Sequence, residues 1–206
     1  MQYMNRIHII FFNLLTVGCV VTTHADNITF ADAKVKALCV ANWDVNKDGE
    51  LSEDEAAAVA SLGEVFRDKT DIGGFPELKF FSGLTTIDRN AFRGSSIGPE
   101  IIVPGNVKRL EPYCFYSCKQ LNRIILEEGV EYIGYQAISG PVEFLFIPAS
   151  VSNIAAMAIN PYVNARPGTG VFVPEGDLTV QVNAIEPPTI EDYTFYYVYG
   201  EAHLIV

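Results

Sequence analysis

A short phrase of apolar residues recurs along this chain of 206 residues at an almost constant interval. The phrase that opens at Val107 returns at Val130, 23 residues later, and at Val151, after 21 more, and an earlier copy opens at Leu84. Four copies at nearly one period indicate one small structural unit stacked on itself. The sequence therefore predicts a solenoid, a scaffold that does not by itself imply a particular chemistry. The four copies are Leu84-x-x-Ile87-x-x-x-Ala91-Phe92, Val107-x-x-Leu110-x-x-x-Cys114-Phe115, Val130-x-x-Ile133-x-x-x-Ala137-Ile138 and Val151-x-x-Ile154-x-x-x-Ala158-Ile159.

Each repeat is predicted to contain one short strand after a turn. Residues 101–103, 123–126 and 143–147 are rich in β-branched, aromatic and other apolar residues, and they occupy equivalent places in successive repeats. We expect these strands to stack in parallel, one per repeat of about 23 residues, into a continuous ribbon. The repeat domain should therefore be mostly β with short turns.

The pattern loosens toward the C-terminus. A strand is predicted at residues 171–174, and a variant unit follows, with Thr189-Ile190 and then Thr194-Phe195 at the place of the Ala-Phe pair. No polar cap is visible before the sequence stops at Val206, although a solenoid needs one to cover its last row of core residues. We therefore expect the repeat domain, residues 72–206, to be truncated at its C-terminal end.

The composition favours a packed protein and argues against nucleic-acid binding. Hydrophobic residues make up 49% of the chain and charged residues 19%, a balance that disfavours disorder. The formal net charge is −11, and no cluster of Lys and Arg interrupts it. A phosphate backbone or an anionic membrane surface would therefore repel the chain.

The first 25 residues are predicted to be an export signal. An apolar run at residues 9–21 follows a short polar start with Arg6, and small residues precede Asp26, where a signal peptidase would cut. Alternatively, residues 1–18 are a lipoprotein signal and Cys19 is lipidated, in which case the chain would reach a membrane only through that anchor. Either route predicts a secreted protein or one attached to the cell surface or outer membrane.

Residues that could form a catalytic centre are missing. Once the export signal is removed, one histidine remains, His203, and nothing near it in sequence suggests a nucleophile. Three cysteines also remain, an odd number, so a disulfide framework is not expected and we interpret Cys39, Cys114 and Cys118 as buried thiols. The chain is therefore predicted not to be an enzyme.

One segment before the repeats matches a calcium-binding loop. Residues 44–55, DVNKDGELSEDE, agree with the EF-hand pattern D-x-[DN]-x-[DN]-G-x5-E at every specified position. Calcium takes six to eight oxygen ligands, which a tight loop can supply from alternate residues. We expect one structural Ca²⁺ site, because no second loop is present. The candidate ligands are the side chains of Asp44, Asn46, Asp48, Ser52 (directly or through water) and Glu55, and the backbone carbonyl of Glu50.

Two predicted helices flank this loop and give it the expected context. The first covers residues 30–43 and the second residues 52–62, where Ser52 followed by Glu55 forms a capping box. Residues 26–71 should thus be a small helix–calcium loop–helix cap that precedes the repeat domain.

The repeats resemble a known family. The phrase from Leu110 to Leu126, LEPYCFYSCKQLNRIIL, is similar to the BspA-like leucine-rich repeat of bacterial surface proteins from gut and oral anaerobes. The resemblance covers about residues 72–206, and the preceding calcium loop is similar to the leader of many such proteins. It implies a leucine-rich repeat solenoid and, for function, surface adhesion or ligand capture without a named partner.

Two functional hypotheses follow. The first is an exported, non-enzymatic repeat protein, a monomer, which presents a binding surface to a host or matrix protein or to a glycan. The second is a calcium-dependent, dockerin-like accessory module of an extracellular carbohydrate-handling system, although a dockerin normally carries two calcium loops.

Overall fold

The computed structural model describes residues 26–161, 178–183, 188–195 and 202–205. The predicted export signal with Cys19, and the strand predicted at 171–174, lie outside these ranges. In the described part of the chain, no helix combines the length and the apolar character that crossing a bilayer requires.

The segment before the repeats contains three short helical elements, each fixed by a local signal. Helix α1 (Ala33–Trp43) begins at Asp32, whose Oδ1 accepts from the N–H groups of Lys34 at 2.7 Å and Val35 at 3.0 Å. Helix α2 (Glu53–Ala57) begins at Ser52 with the predicted capping box, which is confirmed. A 3-10 helix (Pro76–Phe80) has its proline in the first turn.

Helix α2 is shorter than the sequence predicts. It ends at Ala57, five residues before the predicted end at Leu62, and the chain continues as turns. Two contacts favour this early end. The carbonyl groups of Ala57 and Val59 pack against the bare Cα of Gly83, and the carboxylate of Asp88 accepts from the N–H groups of Leu62 and Gly63. The polar backbone is thus satisfied by the first repeat instead of by another helical turn.

The repeats form a solenoid with three parallel sheets. The predicted parallel ribbon is confirmed, because equivalent strands of successive repeats pair side by side. A sheet of two-residue strands contains β1 (Thr86–Ile87), β3 (Arg109–Leu110), β6 (Tyr132–Ile133), β9 (Asn153–Ile154) and β12 (Thr189–Ile190). A sheet at the turn contains β4 (Phe115–Tyr116), β7 (Ile138–Gly140) and β10 (Ile159–Pro161). The long sheet contains β2 (Glu100–Val103), β5 (Arg123–Leu126), β8 (Phe144–Ile147), β11 (Leu178–Val182) and β13 (Ala202–Ile205).

A stack of aromatic rings joins the helical segment to the solenoid in one core. The ring of Phe92, from the first repeat, lies between Phe66 and Phe115, with both centroids at 5.2 Å. On the helical side, Trp43 contacts Phe66 at 6.2 Å. Because these rings are buried in one continuous hydrophobic cluster, the two parts of the chain are expected to unfold together.

One backbone feature recurs at the same place in every repeat. The residue before the Ala-Phe pair has a positive φ, between 47° and 63°, although none of these residues is glycine. Among the described residues this turn occurs five times, once more than the four regular phrases, so the variant unit at Thr194-Phe195 continues the stack. The residues with this φ are Asn90, Tyr113, Gln136, Met157 and Tyr193.

Candidate binding surface and calcium loop

The outward face of the long sheet is a flat ribbon built from two rows of side chains. Because side chains alternate along a strand, Ile101 and Val103 lie in the core and their neighbours point outward. The strands pair in register, so the equivalent residues of the next strands point the same way. The second row is apolar across the first three strands, and Ile102 at its start is 41% exposed. The first row is Glu100, Arg123, Phe144 and Thr179, and the second is Ile102, Ile125, Phe146 and Gln181.

The charges of the first row are neutralised within the row. Nε of Arg123 lies 2.8 Å from a carboxylate oxygen of Glu100, and the guanidinium group stacks 3.9 Å from the ring centroid of Phe144. Since one arginine spans three strands in this way, the charges of Glu100 and Arg123 are paired beside the apolar row. The long sheet therefore offers a mixed aromatic and aliphatic surface.

A similar stacking arrangement occurs on the sheet of two-residue strands. The guanidinium group of Arg109 lies 4.0 Å from the ring centroid of Tyr132, and its Nε is 2.9 Å from Glu111. Strands β1, β3, β6 and β9 each turn one side chain outward, so this face has a single row, with the polar Thr86 and Asn153 at either side of the pair, and lacks the second, aliphatic row of the long sheet. The two faces thus differ in character although they belong to the same repeats.

The cysteines lack the properties of a catalytic nucleophile. Cys39, Cys114 and Cys118 are buried free thiols, as the sequence predicts. Burial raises the pKa of all three above the usual thiol value, that of Cys118 to about 12, so they remain protonated at neutral pH. The side chain of His203 lies outside the described part of the structure.

The predicted calcium loop is compact, and its side-chain oxygens point to its own backbone. Asp44 accepts from the N–H groups of Lys47 at 2.6 Å and Gly49 at 2.9 Å. In the same way, Oδ1 of Asn46 accepts from the N–H of Asp48, and Oδ1 of Asp48 accepts from the N–H of Glu50. The turn uses positive φ at Lys47 and at Gly49, where the EF-hand pattern requires glycine.

Glu55 closes the loop from helix α2. Its Oε1 accepts from the N–H groups of Val45 at 2.9 Å and Asn46 at 3.2 Å, and its Oε2 from the N–H and the hydroxyl of Ser52. The Ser52 N–H contributes most to lowering the pKa of Glu55, and the remaining hydrogen bonds act in the same direction. The side chain is therefore held as a carboxylate at the mouth of the loop.

The oxygen set of the loop suits calcium in its chemistry. Carboxylates from Asp44, Asp48 and Glu55, an amide from Asn46 and a hydroxyl from Ser52 are all hard oxygen donors on one turn of chain. In the described residues, no three Asp, Glu, His or Cys side chains converge where they could hold a metal ion. Binding would require the carboxylates to exchange backbone N–H partners for the ion.

The N-terminal segment pairs with the loop, a contact that the sequence analysis did not predict. The N–H of Ile28 donates to the carbonyl of Leu51 at 2.8 Å, and the N–H of Glu53 donates to the carbonyl of Asp26 at 3.0 Å. Asn27 and Ser52 form an antiparallel bridge between these bonds. The loop edge is thus covered by the segment that begins at the predicted signal-cleavage site.

Comparison with models of known protein families gives a match over the repeats. Residues 66–162 match the family model described as BspA type Leucine rich repeat region, in six copies. The repeats are therefore similar to BspA-type leucine-rich repeats over these residues, a little under half of the chain. No curated protein and no solved structure matches the chain significantly.

The match to the BspA-type family model begins and ends earlier than residues 72–206, the range that the sequence analysis expects for the resemblance. It opens at Phe66, inside the predicted helical segment, which agrees with the place of Phe66 in the aromatic stack. The match ends at residue 162. Beyond it, β11 and β13 continue the long sheet, and β12 continues the sheet of two-residue strands. The calcium loop lies outside the region, so its assignment depends on the loop's own residues.

Proposed function

We propose that this chain is an exported, non-enzymatic repeat protein that binds an extracellular partner, a host or matrix protein or a glycan, through the outward face of its long sheet. The observation that supports this proposal is the apolar row Ile102, Ile125 and Phe146 beside the neutralised row that contains Arg123. Contiguous exposed apolar and aromatic side chains are typical of contact surfaces. An aliphatic row also suits a protein partner better than a sugar.

Two lysines on this face should abolish binding if the proposal is correct. The double variant Ile102→Lys with Phe146→Lys replaces outward side chains, so circular dichroism should remain that of the parent. The matched control, Thr86→Lys with Asn153→Lys, adds the same charge to the face of two-residue strands. Binding to a panel of extracellular-matrix proteins and glycans should be lost only in the first variant. Equal loss in both variants, or no binding by the parent, would reject this face.

We further propose that the loop binds one Ca²⁺ through Asp44, Asn46, Asp48, the carbonyl of Glu50, Ser52 and Glu55. The ion would supply positive charge where several carboxylates crowd one turn, and it would fix the loop edge that pairs with residues 26–28. Its role is therefore structural. The affinity expected for an extracellular module of this kind is about 10⁻⁴ to 10⁻³ M.

Calcium titration followed by thermal unfolding tests this assignment. Calcium at ten times its dissociation constant should stabilise the parent by about 1.4 kcal/mol, and Asp44→Ala should remove that gain. The control Asp54→Ala removes a carboxylate from the same loop at a position that the EF-hand pattern leaves unspecified. Calorimetry that detects no calcium uptake by the parent at millimolar concentration would overturn the proposal.

Export and the dockerin-like alternative need separate tests. Mass analysis of the mature protein distinguishes a terminus at Asp26 from a lipidated Cys19. The dockerin-like role is less well supported, because residues 26–28 already occupy the loop edge that a second calcium loop would need. A pull-down that retains a cohesin-like partner only in calcium would favour that role instead.

A further inference from the structure

A cavity of about 310 Å³ lies where the helical segment meets the 3-10 helix, beside the edge of the calcium loop and away from the long sheet. Three parts of the chain line it: the N-terminal segment with Asn27 and Thr29, the start of helix α2 with Glu53, and the 3-10 helix with Glu77 and Phe80. Its volume is at the lower end of the range for sites that hold small organic molecules. The cavity is therefore large enough for a ligand with several heavy atoms.

The side chain of Glu77 gives the cavity an unusual chemical character. It is only 4% exposed, although it carries a charge and lies on a short 3-10 helix. Its Oε1 accepts from the N–H of Ala31 at 2.7 Å, but its Oε2 is buried and has no hydrogen-bond partner among the described residues. A buried carboxylate oxygen without a partner is destabilising, so a donor that enters the cavity would relieve that cost.

The charges around the cavity favour a single positive charge. Glu53 and Glu77 line it, and neither forms an ion pair with the described residues. The one basic lining residue, Lys79, is exposed, and its ammonium group lies 5.0 Å from the ring centroid of Phe80 instead of pairing with Glu77. The formal charge of the lining is thus −1, from two carboxylates and one ammonium.

The lining also distinguishes an organic cation from a metal ion. Among the described residues, no group of three acidic, histidine or cysteine side chains is arranged to hold a metal, and the cavity is far larger than a bare ion. Ile28 and Phe80 contribute apolar walls beside the carboxylates. An ammonium head has three donors, enough for Glu77, Glu53 and one further oxygen from Asn27 or Thr29, while an alkyl body packs on those walls.

We propose that this cavity binds a small primary alkylammonium group, with Glu77 as its buried acceptor. The group could come from a free amine or from a lysine side chain of a partner, because both present the same head and alkyl stem. The site shares no residue with the long-sheet surface or with the proposed calcium ligands, although Asn27 and Glu53 adjoin Ser52, so it is tested without added calcium.

Calorimetric titration of the full chain with n-butylammonium chloride tests the site. Uptake of one equivalent in the millimolar range is expected, with no uptake of n-butanol, the neutral analogue of similar shape, at the same ionic strength. A capped lysine that binds as well as n-butylammonium would indicate a partner side chain as the source, and a much weaker capped lysine would indicate a free amine. Equal uptake of the alcohol, or no uptake of the amine, would overturn the proposal.

Three variants assign the binding to Glu77. Glu77→Gln keeps the acceptor for Ala31 but loses the charge, and it should weaken binding of n-butylammonium by roughly tenfold or more. Lys79→Met removes the neighbouring positive charge and should strengthen binding by a few-fold, roughly. Glu143→Gln, which removes an exposed carboxylate on the repeats, should have no effect. Unchanged affinity in Glu77→Gln, or weaker binding in a folded Lys79→Met, would contradict the assignment.

Discussion

The helical segment and the repeats satisfy their backbones in different ways. In the helical segment, carboxylates accept from backbone N–H groups. Asp32 accepts from Lys34, Val35 and Gly73, and Asp88, at the edge of the first repeat, accepts from Leu62 and Gly63. In the repeats, most such bonds run from the N–H groups of one turn to the carbonyls of a neighbouring turn, as from Phe92 to Cys114 at 2.8 Å. Carboxylates there accept from only a few N–H groups, as Glu128 does from Ala149 and Ser150.

This difference predicts where the molecule should respond to its environment. Hydrogen bonds to carboxylates depend on the protonation state of the carboxylate, whereas backbone ladders are neutral and independent of pH. The calcium loop and the cavity of Glu77 both lie on the carboxylate-rich side. We infer that the solenoid supplies a constant scaffold and that the N-terminal segment carries the parts sensitive to ions.

The ring of Phe92, which connects the two regions, should give the largest effect. Phe92→Ala removes a fully buried ring between Phe66 and Phe115, so we expect a loss of about 3 to 5 kcal/mol in the free energy of unfolding. Urea unfolding followed by Trp43 fluorescence and by circular dichroism measures it. Phe144→Ala, on the outward face, is the control and should cost far less. Two separate transitions in the parent would show that the regions are not joined.

Gly129 tests whether the repeats depend on close backbone contact. It has φ of 119°, and a Cβ there would collide with the carbonyl oxygen of Gly105 in the preceding turn. Gly129→Ala should therefore cost about 2 to 3 kcal/mol, because it adds a rigid clash to backbone strain. Gly63→Ala in the helical segment is the control, since φ is 54° but no atom lies within 4 Å. Gly63→Ala should cost about 1 kcal/mol in the free energy of unfolding. If both variants cost the same, backbone strain alone would explain the loss and the clash with Gly105 would contribute nothing.

The repeats could be predicted from sequence because one spacing encodes them several times. Val107, Val130 and Val151 occupy the same core position, so each copy supports the interpretation of the others. The confirmed parallel sheets follow from this period, although the positive φ at Tyr113 or Met157 does not, since neither residue type favours that conformation. There the hydrogen bonds between turns determine the backbone.

The helical segment could be predicted only in part because it occurs once. The capping box of Ser52 and Glu55 is local in sequence and is confirmed, whereas the early end of helix α2 depends on Asp88 and Gly83, some 25 to 31 residues away. Burial of Glu77 could not be foreseen either, because its hydrogen-bond donor is Ala31, 46 residues earlier in the chain. A contact that occurs only once between distant residues produces no repeating pattern in the sequence from which it could be predicted.

Acid should destabilise the helical segment through Asp32. Partial burial acts to raise the pKa of Asp32, but the N–H groups of Val35, Gly73 and Lys34 together lower it below the usual value. Because the folded pKa is lowered, this contribution is complete above the unfolded pKa, about 3.9, and is lost as pH falls through the folded value. Asp32→Asn should cost about 1 kcal/mol at neutral pH and progressively less below that range.

Thermal unfolding of parent and variant between neutral pH and strong acid measures this difference. Asp54→Asn removes an exposed carboxylate of helix α2 and serves as the control, with the same pH dependence as the parent. If the stability gap between parent and Asp32→Asn stays constant down to strong acid, the cap does not act through its charge. The helical segment would then not differ from the repeats in its sensitivity to pH at Asp32, the position where we expect that difference to be largest.

The smallest effect is expected from the exposed pair of Arg109 and Glu111 on the repeats, because these side chains bond to each other and hold no backbone N–H group among the described residues. Arg109 stacks 4.0 Å from the ring of Tyr132 and pairs with Glu111, all on the solvent face. A double-mutant cycle of Arg109→Met and Tyr132→Leu should give a coupling of about 0.5 kcal/mol. This value should survive acid that abolishes the effect of Asp32, because the contact between a guanidinium group and an aromatic ring needs no carboxylate. A coupling free energy larger than the cost of Asp32→Asn would show that charged groups stabilise the repeats as much as the helical segment. The two regions would then not differ in this respect.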